Sequence, residues 1–269
     1  IRIRRWIGLN NIILLGIVSL LIDLSTEMVY PIIPLYLTSV LGATPAIVGV
    51  IEGVAESLAS LLKIFSGYLS DKYKNKKLLT FIGYFGAIVY KAVLLLVASW
   101  PGILLARIVD RIGKGIRTAP RDALIAENAG KNQLGGSFGL HKMLDMLGSA
   151  LGILAAYLLV SGSSIRYKRI FLFSMIPAVL GVCAILFVKE SKRSAAPAKK
   201  LDFNFKILDH RLKAFLMIVF LFTLGNSSNA FLLLKAQNNG FHAKVVILLY
   251  FLFNMVASLL AYPSGKLSD

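Results

Sequence analysis

Six acids and five bases fall inside stretches of this chain that are otherwise strongly apolar: Asp23, Glu27, Glu52, Glu56, Asp110 and Asp145 against Lys63, Lys91, Arg107, Arg111 and Lys114. Their spacing groups them. Asp23 and Glu27 stand four apart, and Glu52, Glu56 and Lys63 fall on one helical face. An ionisable group at membrane depth costs at least ~2.5–3.5 kcal/mol unless it faces water or a partner. Near balance therefore predicts mutual pairing around an interior cavity. A carboxylate beside an arginine can also bind and release a proton, and so bias two conformations. A permanently satisfied ion-pair network is the alternative. His141 and Asp145, four apart, read as a satisfied polar pair or a proton relay.

The densest stretch is RIVDRIGKGIRTAPRD, residues 107–122. At about 100° per residue its charges fall within an arc of about 140°, while Ile108, Val109, Ile112, Ile116 and Ala119 take the other face. Arg107 to Arg121 spans about 21 Å of helix. Such a stripe must point inward.

Composition says what holds these groups. The 269 residues are 57% hydrophobic and only 16% charged, with a mean hydropathy of +0.74. Ordinary soluble chains are nearer 45–50% apolar and 25% charged. An all-α integral membrane protein is expected. The net charge of +17 could serve nucleic acid. A nucleic-acid binder, however, needs a basic face on a soluble body, and no such body is left over. Cys183 is the only cysteine, so no disulfide framework exists.

Eight spans of about 20 apolar residues are expected near 8–38, 45–70, 78–98, 102–124, 137–160, 169–188, 212–235 and 243–263. The basic start resembles a signal peptide, but the apolar run continues through Pro31 and Pro34 without a small-residue cleavage site. It reads as a first span kinked near its outer end. Basic residues alternate along the connections: Arg2, Arg4 and Arg5 at the start, Lys72 to Lys77, Lys114 to Lys131, and KESKRSAAPAKK at 189–200. The positive-inside rule then puts the N-terminus in the cytoplasm. The turn at 161–169, with Arg166, Lys168 and Arg169, is the exception.

A shift of 198 residues superposes LGATPAIVGVIEGVAESLASLLKIFSGYLSD on NGFHAKVVILLYFLFNMVASLLAYPSGKLSD. Gly42 meets Gly240, and Gly67 and Asp71 meet Gly265 and Asp269. Tyr250 stands at the repeat position of Glu52, and Asn254 at that of Glu56. Duplicated halves with a site between them mark secondary transporters. The expected organisation is a six-helix half at 1–188, a cytoplasmic linker at 189–211, and the first two helices of a second half at 212–269. That makes eight of twelve spans.

The stretch GYLSDKYKNKK (67–77) resembles the loop between helices 2 and 3 of the major facilitator superfamily, and GKLSD (265–269) begins the same motif again. RIGKG (111–115) is similar to the family's fourth-helix pattern, with Lys114 in place of Gln. Lys74 stands where the loop pattern has glycine, which leaves Asn75 to take a left-handed conformation. The G-P pair of many exporters is missing from the fifth span. The resemblance implies a cytoplasmic gate made of Gly67, Asp71, Lys72 and Lys76, with Asp122 as the acid at the end of the fourth span.

The resulting expectation is a secondary active transporter of major facilitator type in the cell (plasma or inner) membrane. It would be proton-coupled, an antiporter working by alternating access as a monomer, exporting a small organic solute. Uptake of an anion neutralised by Arg107, Arg111 and Lys114 is the second reading. A non-transporting receptor or scaffold is the third. Beyond the solute, H⁺ and lipid, no partner, cofactor, metal or nucleic acid is implied, and no enzyme constellation. Asn226, Asn229 and Asn254 are candidate solute contacts.

Overall fold

The computed structural model describes residues 2–73, 75–129, 133–160, 166–189, 209–225 and 228–267, except the side chains of 2–8 and 69–73. Among them the chain is helical, with no strand. In order the helices are α1 (Arg2–Glu27), α2 (Ile32–Ser39), α3 (Pro45–Tyr73), α4 (Lys76–Leu96), α5 (Trp100–Asn128), α6 (Leu134–Leu159), α7 (Tyr167–Ile185), α8 (His210–Leu224), α9 (Asn229–Asn238) and α10 (Ala243–Leu267). Their starts are written locally. Thr44 Oγ1 accepts from the Ile47 amide ahead of Pro45, and Ser99 Oγ from the Gly102 amide ahead of α5. Asn75 caps α4 by accepting from Leu78 at φ −109°, so it does not take the left-handed conformation expected of it.

Among the described residues, six helical segments are long and apolar enough to cross a membrane. Two of them are broken. One runs from α1 into α2 and another from α8 into α9. The remaining long helices, α3 and α5, run 29 residues each but carry the interior charges. Large apolar side chains cover the outside, among them Phe215 and Phe222 of α8, which buries none of its residues. A surface of this kind suits lipid.

The 198-residue repeat is also structural. α1 ends at Glu27 and α8 at Leu224; α2 starts at Ile32 and α9 at Asn229; α3 starts at Pro45 and α10 at Ala243. Gly42 and Gly240, at φ +64° and +87°, turn the chain at equivalent points. No atom lies within 4 Å of a Cβ built at either, so only the backbone resists a side chain. Gly42→Ala and Gly240→Ala should each cost about 1–2 kcal/mol, additively because the sites are separate. Thermal melting of the single and double variants checks this.

The first half packs α1 on α6 and α7, and α4 on α5 and α7, with α3 against α5. α10 lies along α6, from Lys244 over the Tyr157 ring to Gly265 beside Gly139. α1, α3, α5, α6, α9 and α10 thereby enclose a common space.

Candidate functional site

That space is a cavity of about 820 Å³, within the usual range for small-molecule sites. Four helices line it with residues at i, i+3, i+4 and i+7, the stripe that a straight helix presents to one side. From α1 and the break after it come Asp23, Thr26, Glu27 and Tyr30; from α3, Gly49, Glu52, Gly53 and Glu56. α6 supplies Lys142, Asp145, Met146 and Ser149, and α10 supplies Tyr250, Phe253, Asn254 and Ala257. α5 adds Asp110, Arg111, Lys114 and Arg117, and Ser228, Asn229 and Phe231 complete the wall at α9.

Both breaks open onto this cavity. Pro31 and Pro34 lack the N–H groups that would bond the carbonyls of Glu27 and Tyr30, and residues 29 and 32 bond three back rather than four. Tyr30 lies at the first break and Ser228, which caps α9, at the second. Their hydroxyls stand 3.5 Å apart, and the two residues are separated by 198 positions.

The interior ions form pairs. Arg107, fully buried, donates through Nη2 to both oxygens of Glu52 at 2.6 and 2.8 Å. Its Nη1 lies 3.8 Å from Asp110, and its guanidinium covers the Tyr30 ring at 5.3 Å. Arg111 is shared between Glu56 at 3.6 Å and Asp110 at 3.9 Å. Lys142 holds Asp145 at 2.7 Å. Lys91, buried behind the wall, donates to Thr26 at 3.2 Å. Tyr250 donates to Glu27 at 3.2 Å. Asp23 faces Asp145 across α1 and α6.

Seven of the eight residues expected around the cavity therefore line it: Asp23, Glu27, Glu52, Glu56, Asp110, Arg111 and Lys114. Arg107 does not. Burial and its commitment to Glu52 withdraw it from any anion in the cavity, as they would not withdraw Arg111 or Lys114. His141 and Asp145 make no ion pair within 4 Å among the described residues. Lys142 takes the acid, while His141 is buried with Nε2 unpartnered among the described residues. Asn229 and Asn254 reach the cavity; Asn226 lies outside the described residues. Asp145, one of the interior acids, lines it as well; Tyr30, Tyr250, Arg117 and Lys142 belong to the wall without having been expected there. Tyr30 stands three residues after Glu27 and Lys142 three before Asp145, so helical spacing carried a signal for both.

At the implied gate, Lys76 pairs with Glu127, five residues beyond Asp122, which instead binds its neighbour Arg121 at 2.8 Å. Asp122 lies one turn too early on α5 to be the acid that Lys76 meets. Gly67 packs near Ala119 of α5. The side chains of Asp71 and Lys72 lie outside the described residues.

Residues 15–269 match the family model of the major facilitator superfamily. The chain belongs to that superfamily. Its members are transporters, not enzymes, and a multi-pass membrane protein follows from the spans. This superfamily chain is 35% identical over 266 residues to an uncharacterized MFS-type transporter of Methanocaldococcus jannaschii, covering 97% of itself and 66% of that protein. It is 34% identical over 152 residues to an uncharacterized protein of Mycobacterium tuberculosis, covering 55% of itself and 37% of the relative. A multidrug resistance protein of Photorhabdus laumondii is 26% identical over 136 residues, 51% of this chain and 34% of that one. The chain thus spans less than two thirds of the curated relatives it matches.

Proposed function

We propose that this chain forms eight spans of a proton-coupled secondary transporter that exports a small organic solute from the cell by alternating access. The observation that carries the reading is the pair of broken helices at repeat-related positions, both opening onto one charged cavity. Interrupted spans in corresponding positions of two halves are where solute sites form in such proteins.

Asp23 and Asp145 supply the coupling. Two carboxyl groups face each other from α1 and α6 beside Lys114 and Arg117. A proton on one removes their mutual repulsion, and its loss restores it and favours the cations of α5. Protonation thereby changes which arrangement of the helices is preferred. The relative named for multidrug resistance supports an organic solute. The cytoplasmic N-terminus, plasma-membrane location, monomeric state and 189–211 linker complete this reading.

Full-length protein in liposomes with an internal pH dye tests it. Under an imposed pH gradient, pools of candidate solutes should drive proton movement in the wild type. Asp23→Asn should abolish that movement, and Arg111→Ala should reduce it by tenfold or more. Labelled-solute flux with no proton movement would sink the coupling. Absence of both would leave a scaffold.

A further inference from the structure

The cations and anions that line the cavity are not equally committed. Glu52, Glu56 and Asp145 hold Arg107, Arg111 and Lys142. Four charged groups remain without an ion pair within 4 Å among the described residues: Asp23 and Glu27 on α1, Lys114 and Arg117 on α5. Arg117 is the most exacting of them. Only 5% exposed, it has Nε and Nη1 buried with no hydrogen-bond partner among the described residues, while its guanidinium lies over the Tyr84 ring at 4.6 Å. Buried guanidinium donors left open in a cavity wall call for an acceptor.

The open charges are sorted by depth. Tyr84 bonds Ser19 of α1 at 3.2 Å, which places Arg117 level with Ser19. Arg107 over Tyr30 fixes the other end of the same register. Glu27 lies eight residues beyond Ser19, about 12 Å along the axis, and Lys114 lies about 4.5 Å from Arg117 toward it. Glu27 and Lys114 are thus offset by about 7 Å. Around Glu27 the wall is aromatic: the Tyr30 and Tyr250 rings lie 5.9 Å apart, and Phe253 stacks on Tyr250 at 6.3 Å. A carboxylate framed by aromatic faces suits an ammonium group. At the other end, once Asp23 carries the coupling proton of the reading above, Lys114 and Arg117 are free for a carboxylate.

We infer that the cavity selects zwitterions whose ammonium and carboxylate groups stand several bonds apart, with the ammonium at Glu27 and the carboxylate at Lys114 and Arg117. This inference rests on the transport reading for the proton on Asp23.

Three probes with the same ring body decide it by titration calorimetry on the full-length protein. They are 4-(aminomethyl)benzoate with both charges, 4-methylbenzylamine with the cation alone, and 4-methylbenzoate with the anion alone. The zwitterion should bind at least about tenfold more tightly than either, since one charge-assisted contact is worth at least that factor. Glu27→Gln should lower its affinity at least about tenfold and remove its advantage over 4-methylbenzoate measured on the same variant. Lys114→Met should lower it to that of 4-methylbenzylamine. A singly charged probe that equals the zwitterion, or a zwitterion that does not bind, overturns the inference. Should a variant fail to fold, the wild-type comparison alone decides. Proton-linked flux of other solutes without zwitterion binding would remove the inference and leave the transport reading. Selective binding without any flux would do the reverse.

Discussion

Arg107→Ala is expected to destabilise the protein by about 3–5 kcal/mol, because it leaves a largely buried carboxylate without its partner. Arg107 is fully buried, and Glu52, 8% exposed, receives both of the hydrogen bonds in that pair. Taking away the guanidinium leaves Glu52 charged and unpaired, and leaves Asp110 without one of its two nearby arginines. Replacing both partners, as in Arg107→Met with Glu52→Met, should recover most of the loss, since well-packed apolar groups avoid the desolvation of either ion. The double variant is therefore expected to melt well above Arg107→Ala in the same detergent. Melting of the double variant at or below the single would mean that the pair holds the fold through packing and not through charge.

Gly148→Ala should cost about 1–3 kcal/mol by forcing two helices apart. A Cβ built on Gly148 lies 2.7 Å from the Leu20 Cα, so backbone would have to move, not a flexible side chain end. α1 and α6 meet at that point, and the same two helices carry Asp23 and Asp145. The substitution should thus lower both the melting temperature and the solute-driven proton movement. Gly53→Ala is the control for stability. Nothing lies within 4 Å of a Cβ there, and alanine is the better helix former by about 0.5–1 kcal/mol. Equal melting of the two variants would place the α1–α6 contact outside the determinants of stability.

The cavity wall was legible because membrane burial is so costly for charge. Asp23, Glu27, Glu52 and Glu56 had to face inward, and helical periodicity alone put each pair on one face. The first break was legible from Pro31 and Pro34. The second carries no proline. It became visible only where the structure interrupts the helix, although the shift that aligns Gly42 with Gly240 also lays 28–31 over 226–229. The retreat of Arg107 was not legible: depth along a helix follows from sequence, but rotation about its axis by a few tens of degrees does not. That rotation separates Arg107 from Arg111, one turn away and at the cavity edge. The partner of Lys76 was missed for a related reason. Asp122 and Glu127 both end α5, and helix length decides which of them Lys76 meets.

Tyr30 touches Ser228, its own counterpart in the other half. Two equivalent positions can meet only on the axis that exchanges them, just as a residue in a symmetric dimer meets its own copy only on the dyad. The internal dyad of the duplicated chain therefore passes through the cavity. Two identical halves would present the same groups to the cavity twice across that axis. Glu52 opposite Tyr250 and Glu56 opposite Asn254 break that identity. With acids on one side of the dyad and neutral donors on the other, the duplicated frame can tell the two ends of a solute apart.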